Sequence, residues 1–117
     1  MEPQDTITIA PSVLITIARH AATQVKGVSR TGTIPVDVVR LLKGNPMASG
    51  VILDIEGTRV TLDLYLLVRP AANIKQVSQE VQRAVTRAIE ELVGMEVIGV
   101  NVHIEDVDFL PGQQPVA

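Results

Sequence analysis

Few side chains in this sequence have the type and spacing that catalysis or metal binding requires. The chain has two histidines, His20 and His103, and no cysteine. A zinc site takes three or four ligands from a suitable set, and these two histidines fall in different predicted elements. His103 and Glu105 share one face of a predicted strand, which is more often surface decoration than a ligand pair. The sequence therefore predicts no metal site and no cofactor.

The remaining candidate groups also favour surface roles. Adjacent carboxylates occur at Glu90 and Glu91, but acid–base catalysis needs a pocket and a shifted pKa. Glu91 instead lies one helical turn from Arg87, where the two side chains can form an ion pair. No serine lies in a Gly-x-Ser-x-Gly turn, and the glycines of residues 44–50 lack the lysine of a phosphate-binding loop. We expect no enzyme activity.

Composition favours a single domain with an aliphatic core. The 117 residues are 46% apolar, yet Tyr65 and Phe109 are the only aromatic residues. That length suits one domain and can bury a core without disulfides. The chain has neither the ~20-residue apolar run of a membrane span nor the basic-then-apolar start of a secretory signal. We expect a cytoplasmic protein without direct membrane insertion, its domain at 6–108 and flexible tails at 1–5 and 109–117.

Charge is unevenly distributed along the chain. The net charge is −3, which argues against nucleic-acid binding. Residues 6–50 carry five basic side chains and one aspartate, whereas residues 88–117 carry six acidic side chains and no basic one. The simpler interpretation is two solvated surfaces of opposite sign. The alternative is electrostatic attraction between copies of the protein.

A strand and a helix between residues 58 and 93 form the predicted centre of the fold. Alternation predicts a strand over 60–68, and apolar residues at three- and four-residue spacing predict a helix from Asn73 to about Val93. Asn73 is a good N-cap, and Gly94 suits the left-handed position after a helix. The predicted apolar stripe comprises Ile74, Val77, Val81, Ala84, Val85, Ala88 and Leu92. This stripe and one face of the strand should pack together.

The region before this unit has weaker patterns. Residues 6–9 alternate threonine and isoleucine and predict a short edge strand. Pro11 and the residues after it predict a helix that ends at Gly27. One or two helical turns are expected between residues 36 and 42. A mobile loop is expected over 43–49, because a Gly-Asn-Pro run stops a helix.

Two further strands complete the predicted architecture. Residues 51–56 alternate and are joined to the 60–68 strand by a tight turn, so these two strands are antiparallel. A closing strand over 97–105 follows the crossover helix and is parallel to the strand before that helix if the two are adjacent. The predicted fold is α+β, one small domain in α-β-β-α-β order. Both helices pack on one face of a small mixed sheet.

The second face of this sheet is predicted to be an interaction surface. No amphipathic element remains to cover it, so the face is either wet or an interface. Tyrosine is favoured at interfaces, and the one tyrosine lies here among apolar neighbours. The predicted interface residues are Ile52, Asp63, Tyr65, Leu67, Arg69 and His103. The expected mode of action is self-association and the docking of a partner protein.

Four stretches of the sequence carry a family resemblance. They are Ile17-Ala-Arg-His-Ala-Ala-Thr-Gln-Val-Lys-Gly-Val28, Gly50-Val51, Val60-Thr-Leu-Asp-Leu64 with the valines of the following helix, and Val100-Asn-Val-His-Ile104. Their order and separation over residues 7–107 resemble the alkaline shock protein family of bacterial envelope stress response proteins. The turn at residues 70–72 departs from the glycine-containing turn that members often carry.

The resemblance implies a function without chemistry. It implies a non-enzymatic, intracellular protein of the envelope or cell-wall stress response. Some members self-associate and are tied to the membrane by a separate anchor protein. The resemblance therefore implies self-association and a small membrane-anchored partner, with membrane association through that partner. It supplies no catalytic residue.

The alternative interpretation is a KH-like RNA-binding module. The predicted element order suits it, and Lys75, Arg83 and Arg87 of the long helix could contact phosphates. KH modules clamp RNA with a Gly-x-x-Gly loop, which this sequence lacks. Tyr65 is the one aromatic side chain of the predicted sheet that could stack on a base. Nucleic acid is therefore the less favoured partner.

Overall fold

The computed structural model describes residues 6–109 and has the predicted α+β fold in one domain. Its elements are α1 (Pro11–Thr23), β1 (Val28–Thr31), α2 (Val36–Leu41), β2 (Met47–Ala48), β3 (Val51–Glu56), β4 (Arg59–Val68), α3 (Ile74–Val93) and β5 (Glu96–Val107). The predicted α-β-β-α-β order corresponds to α1, β3, β4, α3 and β5. The predicted tail at 1–5 and most of the tail at 109–117 lie outside the described residues. Within those residues, no helix is long and apolar enough to cross a membrane.

β4 is the centre of a mixed five-stranded sheet. β5 runs parallel along one side of it, from the Arg59–Glu96 pair to the Val68–Val107 pair. β3 and β1 share the other side of β4 as antiparallel neighbours, and β2 pairs with β3. The predicted hairpin, the parallel closing strand and the irregularity near Gly99 are confirmed. A parallel pair needs a long crossover, which α3 provides.

β1 and β3 meet end to end beside Tyr65. The N–H of Tyr65 donates to the carbonyl of Gly50 at 2.8 Å, and its own carbonyl accepts from the N–H of Gly32 at 2.7 Å. A Cβ at Gly50 would lie 2.8 Å from the carbonyl oxygen of Gly32 and 3.0 Å from that of Tyr65. Gly50 also has φ +76°, a conformation that costs other residues steric strain. The backbone can therefore approach this closely only with glycine at position 50.

α3 covers one face of the sheet and has the predicted caps. The side chain of Asn73 accepts a hydrogen bond from the N–H of Gln76 at 3.0 Å, and Gly94 ends the helix with φ +79°. The buried residues of α3 are Val77, Val81, Val85 and Ile89. The predicted stripe is wrong at its two ends, because Ile74 is 46% exposed and Leu92 is 72% exposed. Both lie in terminal turns, which extend past the buried part of the helix.

α1 packs beside α3 on the same sheet face, as predicted. Pro11 stands in its first turn, and its buried residues are Leu14, Ile15, Ala18 and Ala22. The helix ends at Thr23, and Gly27, the predicted end, lies in the following turn with φ +102°. The predicted strand over 6–9 is wrong, because these residues belong to no strand of the described sheet. An alternating run forms a strand only when it has a neighbour to pair with.

The structure also corrects the prediction for the region between α1 and β3. The short helix α2 confirms the predicted helical turns. Residues 28–31 form β1, which the sequence analysis missed, and Met47–Ala48 form β2 inside the predicted loop. Strands of four and two residues are too short for an alternation signal. Their pairing with β4 and β3 extends the sheet beyond the predicted three strands.

Candidate protein-binding surface

The predicted interface residues share the sheet face opposite α1 and α3. We call this surface the second face; it comprises Ile52, Asp63, Tyr65, Leu67, Arg69 and His103. Asp63 of β4 pairs with Ile52 of β3, and Tyr65 pairs with His103 of β5. Leu67 lies two residues further along β4, and Arg69 follows the end of that strand. The structure therefore brings Ile52, Asp63, Tyr65 and His103 together, with the other two nearer to β1.

Two of the six residues are buried within the single chain. Ile52 is 1% exposed and Tyr65 is 7% exposed, so the expectation of an uncovered face is wrong at these positions. Met47 of β2 lies directly opposite Ile52 and therefore on the same face. Met47 falls in the segment that was predicted to be a loop. The side chains of Ile52 and Tyr65 lie beneath the exposed residues of the second face and have little area that a partner could contact.

His103 is held from two sides and still reaches solvent. Its ring stacks on that of Tyr65 with a centroid separation of 4.5 Å and an interplanar angle of 11°. Its Nε2 bonds to Oδ1 of Asp63 at 2.9 Å. The side chain of His103 is 42% exposed and that of Asp63 is 26% exposed. The strand partner that fixes His103 is thus Asp63 rather than Glu105.

The electrostatic environment keeps the tyrosine neutral. Burial raises the pKa of Tyr65 above its ordinary value of 10.0, and the negative charges of Asp63 and Glu105 raise it further. Glu105 itself accepts a hydrogen bond from the backbone N–H of Thr33 at 2.8 Å. This bond ties the loop after β1 to the end of β5.

Leu67 and Arg69 lie at the end of the second face nearest β1. Leu67 is half-buried, and its Cδ1 is 3.0 Å from where a Cβ would stand at Gly32. Arg69 is exposed, while its N–H donates to the carbonyl of Gly27 at 2.8 Å. This end of the surface therefore combines one apolar side chain with one cation.

Asp108 adds a polar rim beside this end of the surface. Its carboxylate accepts hydrogen bonds from the hydroxyl of Ser29 and from Nε of Arg30. The hydrogen bond from Ser29 lowers the pKa of Asp108 below its ordinary value of 3.8, and the charges of Arg30 and Arg69 act in the same direction. The sequence offered no signal for these contacts, because they join β1 to residues almost 80 positions away.

The contacts of His103 fix its ring outside the surface depressions of the described residues. His103 is bonded to a carboxylate and stacked on a phenol ring, with no aliphatic hydroxyl bonded to it among the described residues. Two surface depressions of about 570 Å³ and 470 Å³ lie along α3 and at its start, and His103 lines neither. Within residues 6–109, no three His, Asp or Glu side chains are grouped closely enough to hold a metal ion.

The cations singled out for RNA binding share their surface with acids. Arg83 and Arg87 line the larger depression together with Glu90 and Glu91. The predicted pair between Arg87 and Glu91 is confirmed, with Nε and Oε1 separated by 3.0 Å. The exposed face of α3 is therefore a mixed-charge surface rather than a basic stripe.

Comparison with known proteins adds the family. The sequence matches the alkaline shock protein 23 family, described as having a cell envelope-related function, over residues 1–109. The chain belongs to this family. The resemblance read from the four sequence stretches is thereby confirmed.

Two similar proteins of Bacillus subtilis align with most of this chain. The uncharacterized protein YqhY of Bacillus subtilis is 28% identical over 114 residues, which cover 93% of this chain and 84% of YqhY. The uncharacterized protein YloU of the same species is 25% identical over 104 residues, which cover 86% of this chain and 87% of YloU. Both alignments cover more than four fifths of each chain.

Solved structures show the same fold at low identity. One variant of the MamM CTD superposes with a TM-score of 0.54 and 16% identity over 85% of this chain and 100% of its own. A second variant gives a TM-score of 0.52 and 16% identity over 83% and 95%. At this identity the likeness concerns the fold alone.

Proposed function

We propose that this chain is a non-enzymatic, cytoplasmic protein of the envelope or cell-wall stress response. It acts by self-association and by docking to a small membrane-anchored partner, both through the second face. Membership of a family with a cell envelope-related function supports the cellular role. The geometry around His103 supports the mode of action.

The observation that carries this proposal is the fixed but accessible imidazole of His103. Stacking on Tyr65 and the 2.9 Å bond to Asp63 define its orientation, while 42% of the side chain remains exposed. Ordering a free side chain on binding costs roughly 0.5–1.5 kcal/mol. A side chain that is already ordered avoids much of that cost, which is typical of a contact residue.

Three accessible side chains would make the contact. His103 provides the aromatic edge, Leu67 the apolar area and Arg69 a charge that can pair with an acidic partner group. The carboxylate of Asp63 remains engaged by His103. Central apolar and aromatic contacts surrounded by polar groups are typical of protein interfaces.

The experiment compares the mass of variants at several concentrations by light scattering. Leu67→Glu places a charge on the apolar part of the accessible area, and His103→Ala removes the fixed ring. Leu92→Glu is the matched control, because Leu92 is 72% exposed on α3, on the helix side of the sheet. We expect the first two variants to assemble about tenfold less readily or worse, which corresponds to ~1.4 kcal/mol, and the control to match the wild type.

Docking is tested with the same three variants as baits on the membrane fraction of the native cell. A small membrane protein retained by the wild type and by Leu92→Glu, but lost with the other two variants, would support the second face. Equal retention by all baits would show that docking uses another surface. Circular dichroism melting curves of each bait ensure that a lost partner reflects the surface and not unfolding.

A further inference from the structure

The segment before α1 has the sequence of a strand but no strand to pair with. Residues Thr6-Ile7-Thr8-Ile9 alternate polar and apolar side chains and consist of residues with high β propensity. In the described part of the chain they belong to no sheet. Ile7 is 88% exposed and Ile9 is 42% exposed. Burying these two isoleucine side chains against another surface would be favourable, because apolar area would be removed from water.

β5 is a strand with one edge that lacks a pairing partner in the described sheet. This strand pairs with β4 on one side, and its other side is a free edge in the described sheet. Long free edges recruit strands from other chains, and proteins usually blunt them with lysine, proline, bulges or covering groups. β5 has 12 residues and includes neither lysine nor proline.

Both ends of this free edge are blunted, but its middle is not. Gln82 donates to the carbonyl of Val100 at 3.1 Å, and Glu90 accepts from the N–H of Val97 at 3.3 Å. Near the other end, the N–H of Val107 donates to its neighbour Asp106. Register irregularities interrupt the pairing with β4 after the Val60–Val97 pair and again after the Leu66–Ile104 pair. These features leave a regular and unoccupied stretch over residues 101–104.

Backbone geometry shows which groups of that stretch are free. Both backbone groups of Tyr65 point to the β1 and β3 side, so those of its neighbours Leu64 and Leu66 point to β5. In a parallel pair the residues directly opposite such groups point away, and the carbonyl of Val100, opposite Leu62, accordingly accepts its bond from Gln82 of α3. Successive strand residues alternate in direction, so the N–H and C=O groups of Val102 and Ile104 also point outward. Within residues 6–109, no side chain bonds to these groups of Val102 or Ile104.

We propose that Thr6–Ile9 of one copy adds as a strand to the free edge of β5 in a second copy, along residues 101–104. The lengths agree, because a four-residue donor meets a stretch of four residues. The side chains agree as well: Ile7 and Ile9 would extend the apolar row of half-exposed Val102 and Ile104, and the threonines would lie beside Asn101 and His103. Backbone hydrogen bonds supply the affinity in such strand addition.

The donor must come from another copy. The segment leads directly into α1, which packs over β1, β2 and β3, whereas α3 packs over β5 and lies beside α1. To reach its own β5 edge, the segment would have to cross α3. The contact is therefore heterologous, each copy offering one donor and one acceptor, and such contacts can propagate into open chains.

This inference rests on the self-association proposed above and adds a second contact to it, through the edge of the sheet beside the second face. The experiment measures mass against concentration by sedimentation for three variants. Ile7→Asp removes the apolar donor contact. Val102→Pro removes an outward N–H of the acceptor, and proline is tolerated on edge strands at such positions. Leu41→Asp is the matched control, because Leu41 is 82% exposed on α2.

The proposal makes a specific prediction for a mixture. We expect Ile7→Asp and Val102→Pro each to require about 10- to 100-fold higher concentration to assemble, and Leu41→Asp to behave as the wild type. Mixed at equal concentration, the two defective variants should form a dimer, since one retains the acceptor and the other the donor.

Each contrary result has a distinct meaning. If Ile7→Asp assembles like the wild type, or if a mixture of the two folded variants gives no dimer, the edge contact is refuted while self-association stands. If the wild type itself stays monomeric at every concentration, both proposals are refuted. Ile7 lies outside every helix and strand, so this variant decides the matter even if Val102→Pro fails to fold.

Discussion

Replacing Gly50 by alanine should destabilise the protein much more than the same change at Gly57. Both glycines have positive φ, +76° at Gly50 and +63° at Gly57, so alanine costs roughly 1–2 kcal/mol of backbone strain at either site. At Gly57 no described atom comes within 4 Å of the new Cβ. At Gly50 the new Cβ would lie 2.8 Å from the carbonyl oxygen of Gly32, which follows β1, and 3.0 Å from that of Tyr65 in β4.

Gly50→Ala should cost more stability than Gly57→Ala because backbone, and not a side chain, must move to accommodate the new Cβ. Neither carbonyl is the end of a flexible side chain, so relief requires β1 and β3 to shift apart beside Tyr65. Overpacking of this kind typically costs about 1–3 kcal/mol more. We therefore expect Gly57→Ala to lower the free energy of unfolding by about 1 kcal/mol and Gly50→Ala by about 2–4 kcal/mol, after a gain of ~0.4–1 kcal/mol in both from the unfolded chain.

Urea unfolding followed by far-ultraviolet circular dichroism measures this difference directly. For a domain of this size, 1 kcal/mol corresponds to roughly 4 °C in Tm, so thermal melts should separate the two variants by several degrees. Equal free energies of unfolding would contradict the close junction of β1, β3 and β4. The position of Tyr65 and His103 on the second face would then also be in doubt, because this junction fixes the backbone of Tyr65.

Two further predictions concern the core and the tyrosine. Val81→Asp should unfold or severely destabilise the domain, because Val81 is 0% exposed and an unpaired charge would be buried. Gln82→Asp should lower the free energy of unfolding by no more than about 1 kcal/mol, through the loss of its bond to β5. Similar melting temperatures for the two variants would refute the helix orientation. Ultraviolet titration of Tyr65, the single tyrosine, should give a midpoint above 10.0, since burial and nearby carboxylates raise its pKa. Because the folded pKa lies above the unfolded value, the neutral Tyr65 side chain contributes to the free energy of unfolding fully below pH 10, and this contribution is lost as the pH rises through the folded pKa. A titration midpoint at or below 10.0 would contradict the burial of Tyr65.

The sequence predicted those parts of the fold that depend on local or periodic patterns. All five inward residues of the β4 face are buried, because alternation over a long strand leaves one choice of face. Asn73 and Gly94 cap α3 as predicted, since capping depends on residue type at one position. The family resemblance likewise depended on order and spacing, which the chain itself displays.

The predictions that the structure contradicts concern features that depend on contacts between residues distant in sequence. Whether Thr6–Ile9 forms a strand depends on an available edge, and the sequence does not show which edges are free. Ile52 lies opposite Met47, whose two-residue strand carries no periodic signal, and the ring of Tyr65 is covered by that of His103 on another strand. His103 was assigned to the correct face, but its bond to Asp63 required the register of β4 against β5.

The central claim, that this protein works by self-association, is tested most directly by the mass of the wild-type chain in solution. Light scattering from low micromolar to near-millimolar concentration is the measurement. The account predicts a mean mass that rises with concentration well above the 12.6 kDa of one chain. A mass that stays at 12.6 kDa over the whole range would contradict it.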